Sequence, residues 1–225
     1  MQEGFQIGSL LLYKNNQLIA FNKPAGLPVQ PDKTGDKALI NLAEIYCKSK
    51  LHLIHRLDRP ASGVTLFAKT PGALASLNEQ FRQNEVEKTY LAAVQEKPPQ
   101  DAGSLIHFLK KNLRNNRTQA FDEEQPDSKR AELSYRCLGS SEHYHLLEIR
   151  PQSGRHHQIR AQLAAIGCPI KGDVKYGARR GNRDRSIHLH AWKLRFRHPI
   201  SGEWEEIVAP VPEEDPVWQA FLKDK

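Results

Sequence analysis

The run Val64-Thr65-Leu66-Phe67-Ala68 is uncharged and β-prone, and it follows directly on His55-Arg56-Leu57-Asp58-Arg59-Pro60-Ala61-Ser62-Gly63. An apolar strand has to be buried, so the charges just ahead of it sit in a turn whose position the sheet fixes. Pro60 and Ser62-Gly63 supply the turn chemistry. A solvated loop held by an ordinary ion pair is the plain reading of such a stretch. The rest of the chain decides whether it is more.

Upstream, residues 10–13 and 18–21 read as two strands joined by the polar turn Lys14-Asn15-Asn16-Gln17. The loop Lys23-Pro24-Ala25-Gly26-Leu27-Pro28-Val29-Gln30-Pro31 is stiffened by three prolines, with Gly26 available for a positive φ. A short helix is expected over residues 38–47, with Leu39, Leu42, Ala43 and Tyr46 on one face. Thr70 and Pro71 form a helix start as N-cap and first helical residue. Leu74, Leu77 and Phe81 continue that helix to a stop near Asn84. Residues 87–94 form the next strand.

Residues 103–130 are polar and basic, with Lys110, Lys111, Arg114, Arg117, Lys129 and Arg130 among few apolar positions. They read as surface strands and long loops, either merely solvated or in contact with phosphate. Strands resume over 131–138 and 143–149. A helix is expected over 155–166, placing His156, Ile159, Arg160 and Leu163 on one face, where a buried arginine needs an anionic partner. Gly167 and Pro169 stop it. Residues 179–185, Arg-Arg-Gly-Asn-Arg-Asp-Arg, form the densest basic segment and read as a mobile surface loop. A hairpin over 187–197 and 204–209 and a helix over 215–222 close the chain. No internal repeat, low-complexity linker or domain boundary is visible, so the 225 residues are expected to form one domain.

The net charge of +7 and pI near 9.3 fit an anionic partner, nucleic acid being the commonest. No apolar run is long enough for a membrane span. Met1-Gln2-Glu3-Gly4-Phe5 lacks a signal-peptide pattern, and Cys47, Cys137 and Cys168 read as reduced thiols; both point to the cytoplasm. Neither common phosphate-binding glycine loop occurs, nor a Gly-x-Ser-x-Gly elbow. The histidine pairs 143/145, 156/157 and 188/190 lack companion cysteines, so no metal or cofactor is expected.

The chemistry left over lies with Asp58, Tyr90 and Arg160. One carboxylate without a second acid nearby in sequence suits a nucleophile that attacks an electrophilic sugar or base carbon. It must stay ionised though shielded. Burial raises a carboxyl pKa and an adjacent guanidinium lowers it, and Arg160 is a candidate for that guanidinium.

Several segments in order resemble the RluA family of pseudouridine synthases. They are Lys23-Pro24-Ala25-Gly26-Leu27, then His55-Arg56-Leu57-Asp58 with Ser62-Gly63, then Lys88-Thr89-Tyr90. After these come Gly154-Arg155-His156-His157-Gln158-Ile159-Arg160, Gly172-Asp173 with Tyr176-Gly177, and Leu189-His190-Ala191. Ala61 stands where the family often has threonine. The resemblance implies an α/β (α+β) fold: a mixed, mostly antiparallel sheet with flanking helices and a central cleft. It implies isomerisation of uridine in RNA, either rRNA or tRNA, without cofactor or metal.

By resemblance Asp58 is the nucleophile, whether it attacks ribose or base or drives glycal formation. Arg160 would pair with it, Tyr90 would stack on the target base and assist proton loss at C5, and Ile159 would line the pocket. Arg56 would occupy the space left by the flipped uridine. His55 and Arg59 either touch RNA or brace the turn. Lys110, Lys111, Arg114, Arg179, Arg180 and Arg183 are expected RNA-backbone contacts. Many relatives carry an N-terminal S4 domain, for which the early first strand leaves no room. Arg59-Pro60 resembles the tRNA-modifying branch. The expected protein is a monomer; the rival reading is an RNA-binding or RNA-folding protein that keeps the fold without catalysis.

Overall fold

A computed structural model describes residues 6–222; the N-terminal segment 1–5, read above for its lack of a signal pattern, lies outside them. The described residues form eleven strands and four α-helices, an α/β architecture built on antiparallel ladders. They divide into two compact units. Among the described residues the first is 6–88 together with Ala191–Val211; the second is Thr89–His190 and 212–222. Two of the three dividing points fall inside strands, Glu87–Val94 and Leu189–Arg197, and the third lies between Val211 and Pro212. Where the chain divides inside a strand, no linker composition marks the place.

In the first unit β1 (Leu11–Lys14) pairs with β2 (Leu18–Lys23), and β2 with β4 (Ser62–Ala68). The short β3 (His52–Leu53) also pairs with β4. Residues 191–197 of β10 (Leu189–Arg197) lie beside β4, and β11 (Trp204–Val208) pairs with β10. Successive side chains of a strand point to opposite faces. Leu18, Ala20, Val64 and Leu66 therefore pack with Leu194, Phe196 and Ile207 under Ala73 and Leu77 of α2 (Pro71–Arg82). On the other face Ile19, Phe21 and Phe67 meet Leu39 and Ala43 of α1 (Leu39–Cys47), with Val29 and Leu51. Helices cover both faces, so all seven residues of β4 are buried. That burial is what the uncharged run 64–68 requires.

Gly63 makes the close approach in this unit possible. Its φ is +116°, and a Cβ there would lie 2.3 Å from the Ala191 carbonyl oxygen. α2 begins as its sequence dictates: the Thr70 hydroxyl accepts the Ala73 N–H at 3.2 Å, and Pro71 takes the first helical position.

The second unit is an antiparallel sheet in the order β5 (Glu87–Val94), β9 (His145–Pro151), β8 (Lys129–Ser140), β6 (Ala102–Asn112), β7 (Arg117–Phe121). The connections after β6 and β7 are shorter than the long loops expected over 103–130. The helix expected over 155–166 is α3 (Gln158–Ala165), three residues later at its start. His157 sits at φ +51°, in the left-handed region, so His156 lies outside the helix and does not share a face with Arg160. Gln158 to Leu163 are all buried, so α3 has no polar face. Gly167, at φ +76°, follows the helix end as expected. α4 (Pro216–Leu222) is capped by Asp215, whose Oδ1 accepts the Val217 and Trp218 N–H groups at 2.9 and 3.2 Å.

Candidate active site

Asp58 opens the turn before β4 and is half-buried; its carbonyl accepts the Ala61 N–H at 3.1 Å. The side chains around it brace this turn. The His55 ring stacks on Phe81 with centroids 5.5 Å apart, and its Nε2 accepts the Leu66 N–H at 3.1 Å. That bond requires an unprotonated Nε2, and burial together with the nearby Lys88 charge lowers the His55 pKa to about 4. Of the two readings left open for His55, the geometry is that of a brace.

Arg59 is also engaged within the protein. Its Nε donates to the Gly26 carbonyl at 2.9 Å and Nη1 to the Thr34 hydroxyl at 2.9 Å. It also pairs with Asp32 at 3.3 Å and with Asp36. The residue thus clasps the proline-rich loop to the turn. Both carboxyls are held below their ordinary pKa, Asp32 chiefly by hydrogen bonds from Thr34 and Asp36 chiefly by the hydrogen bond from Arg59. Arg56 is the exposed member of the turn.

Lys23 is a residue of this site that sequence reasoning missed. Its side chain is fully buried at the end of β2. Nζ donates to the carbonyls of Pro24, Leu27, Arg59 and Ala61 at 2.9, 2.9, 3.2 and 2.7 Å. One ammonium therefore ties the proline-rich loop to Arg59 and Ala61, which follow Asp58 in the turn. Burial lowers its pKa to about 7, the Asp58 charge opposing that shift and the Arg59 charge adding to it. The sequence presents Lys23 only as the first residue of a stiff loop; a buried cage of carbonyls has no sequence signature.

In the second unit Tyr90 lies half-buried on β5, in register with Ile149 of β9. Arg160 and Ile159, on α3, are 4% and 7% exposed. The anionic partner that a buried Arg160 demands is present in Asp173: Nε donates to Oδ2 at 2.7 Å and Nη2 to Oδ1 at 2.8 Å. This fork fixes the guanidinium plane. The Arg160 guanidinium also lies over the Tyr176 ring at 4.9 Å. Asp173 and Tyr176 belong to the segment 172–177 quoted from sequence, but their service to Arg160 is visible only in three dimensions.

The basic positions are on the surface. Lys111, Arg114, Arg179, Arg180 and Arg183 are exposed, and half-buried Lys110 lies 4.0 Å from Asp127. The loop 179–185, expected to be mobile, is anchored at its centre. Asn182 accepts from Lys171 Nζ and donates to the Ser186 carbonyl and hydroxyl, both at 3.0 Å. Its Nδ2 also lies 3.2 Å from His188 Nδ1, and His188 Nε2 lies 3.0 Å from Asp215. The apolar residues needed to tie down such a loop are missing, but a polar chain does the work instead.

No helix among the described residues is long and apolar enough to cross a membrane. Residues 17–165 match the family described as RNA pseudouridylate synthase. An uncharacterized RNA pseudouridine synthase of Chloroflexus aurantiacus is 34% identical over 91% of this chain and 66% of its own length. A ribosomal large subunit pseudouridine synthase C of Vibrio parahaemolyticus is 32% identical over 92% of this chain and 67% of its own. The chain thus spans about two thirds of the length of these relatives. A tRNA pseudouridine synthase C of Vibrio cholerae is 31% identical over 95% of this chain and 94% of its own. Among solved structures, human RNA pseudouridylate synthase domain containing 4 superposes with a TM-score of 0.76 at 26% identity, covering 92% of this chain and 90% of that one.

Proposed function

This chain belongs to the RNA pseudouridylate synthase family, and from that premise we propose that it converts uridine to pseudouridine in a structured RNA. The observation that carries the reading is the extent of the family match: residues 17–165 include Asp58, Tyr90 and Arg160 together. In this reading the Asp58 carboxylate is the nucleophile. The C1′–N1 bond of the target uridine breaks and uracil turns in the site. A C1′–C5 bond forms, C5 loses its proton, and N1 ends protonated. Atoms balance without a co-reactant, and the mass of the RNA is unchanged.

Tyr90 is the ring for stacking on the target base and for assisting proton loss at C5. Arg160 is the cation that favours the ionised nucleophile, and the Asp173 fork supports that role by holding its plane. Ile159 supplies apolar wall. Arg56, exposed beside the nucleophile, is suited to fill the gap left by an extruded base, since a guanidinium stacks on bases. Lys110, Lys111, Arg114, Arg179, Arg180 and Arg183 serve the phosphate backbone. The relatives named above are titled for tRNA and for large-subunit rRNA, and the substrate of this protein is one of these two classes. The protein works as a monomer in the cytoplasm, where both classes are made.

The test is nucleoside analysis of RNA treated with wild type and with Asp58→Asn. Wild type yields pseudouridine in tRNA or in large-subunit rRNA, and the variant yields none while binding the same RNA. Equal product from both proteins overturns the nucleophile, and binding without product from either supports a non-catalytic RNA-folding role. Released free uracil would instead identify a hydrolase.

A further inference from the structure

In the second unit a cleft of about 390 Å³ opens between the end of the β6–β7 hairpin and α3. Asn112, Asn115 and Arg117 line it from the hairpin, Ala164 and Ala165 from the helix, and Tyr176 from the turn that holds Asp173. We propose that this cleft is a binding site for one unpaired nucleotide of the RNA, distinct from the target uridine. The proposal rests on the RNA reading above.

Size, charge and chemistry converge on that occupant. A volume of about 390 Å³ accommodates a single nucleotide and excludes a duplex. None of the lining residues is acidic and one is an arginine. Lys111 and Arg114, exposed on the same hairpin, add positive charge around the mouth. The alanines of α3 leave a flat apolar wall against which a base can lie. Asn112 and Asn115 have their Oδ1 atoms committed to the Arg114 and Arg117 N–H groups, at 2.9 and 3.0 Å. Their amide N–H groups have no acceptor among the described residues, and phosphate or base oxygens are the complementary partners.

The cleft also shares the Tyr176 ring with Arg160. The Arg117 guanidinium lies over the Tyr176 ring at 5.1 Å, and the Arg160 guanidinium lies over the same ring at 4.9 Å. The Tyr176 hydroxyl accepts the Thr118 N–H at 2.7 Å and lies 2.9 Å from His157 Nδ1. The two guanidinium groups thus lie over one ring, which its own hydrogen bonds hold in place. Such a site reads RNA beyond the target base: it selects an RNA that offers an unpaired nucleotide at the right place.

The test uses a mixed-sequence single-stranded RNA of about twelve residues, long enough for a groove-binding protein to grip. The full chain is photo-crosslinked to it, the complex is digested to mononucleotides, and adducts are mapped by mass. A mononucleotide adduct within residues 112–120 or on Tyr176 is expected. Ala165→Phe, which fills the cleft from an exposed position, should remove that adduct and weaken binding roughly tenfold. Arg117→Ala, at an exposed side chain that needs no repacking, should weaken binding by a similar factor. For a modified tRNA or rRNA, both variants should raise KM and leave kcat near wild type. Adducts confined to other peptides, or wild-type affinity in both variants, overturn the cleft site while RNA binding stands. Absence of binding to the oligomer and of any adduct also overturns the cleft site; only failure to bind or modify tRNA and rRNA overturns the RNA reading as well.

Discussion

Lys23 and His55 brace the Asp58 turn through buried hydrogen bonds. Removing the Lys23 ammonium leaves its carbonyl partners facing a void with no donor. Lys23→Met is therefore expected to lower stability by about 2–4 kcal/mol. The midpoint of urea unfolding checks this. The His55 effect depends on pH. Its folded pKa is about 4 against an ordinary 6.5. Between those values the unfolded chain binds the extra proton, so stability falls as pH drops from 6.5 to 4, by up to about 3 kcal/mol. His55→Gln keeps an acceptor for Leu66 N–H and does not titrate. Wild type should lose stability relative to this variant over that window and match its pH response above it. A constant difference from pH 7 to pH 4 would show that the folded ring takes up its proton as readily as the unfolded one. The candidate site residues Asp58, Tyr90 and Arg160 were legible in sequence because they sit in recognisable motifs. Lys23 and Asp173 were not, because what they do depends on which distant carbonyls or guanidinium they meet.

At the scale of elements, strands and helices followed sequence where one local rule sufficed. Thr70-Pro71 placed the start of α2, and the uncharged, β-prone run 64–68 placed β4. α3 departed because two rules competed: its apolar spacing ran back to residue 155, but His157 takes a left-handed conformation and cuts the helix short. Its Ile159, Arg160 and Leu163 looked like one stripe; in the fold the whole first part of the helix is buried. Two substitutions separate local from tertiary control. Thr70→Ala removes one cap bond and should cost about 1 kcal/mol. Gly63→Ala meets both an unfavourable φ and the Ala191 backbone, with the new Cβ 2.3 Å from a carbonyl oxygen. It should cost more than about 3 kcal/mol, beyond the ordinary range for a point change. Thermal unfolding of the two variants side by side is the check; equal shifts would mean that β4 and β10 can move apart cheaply.

For the molecule as a whole, the net charge of +7 becomes useful only where cations are displayed in a fixed arrangement. Arg179, Arg180 and Arg183 are exposed on a loop whose centre is tied down by Asn182. Charge and anchoring make separable contributions to RNA binding. Replacing the three arginines by alanine removes up to three phosphate contacts. The slope of log affinity against log salt should then become shallower by about 2 to 3. Asn182→Ala keeps every charge but frees the loop, so ordering it must be repeated at each binding event. Its affinity should fall with little change in slope. Measured with the same tRNA or rRNA across a salt series, the two variants should trace non-parallel lines. Parallel lines, with the Asn182 variant as shallow as the triple variant, would mean that anchoring and charge act as one term. Unchanged affinity in both would remove this loop from the RNA-binding surface and leave the hairpin 110–117 as its main basic segment.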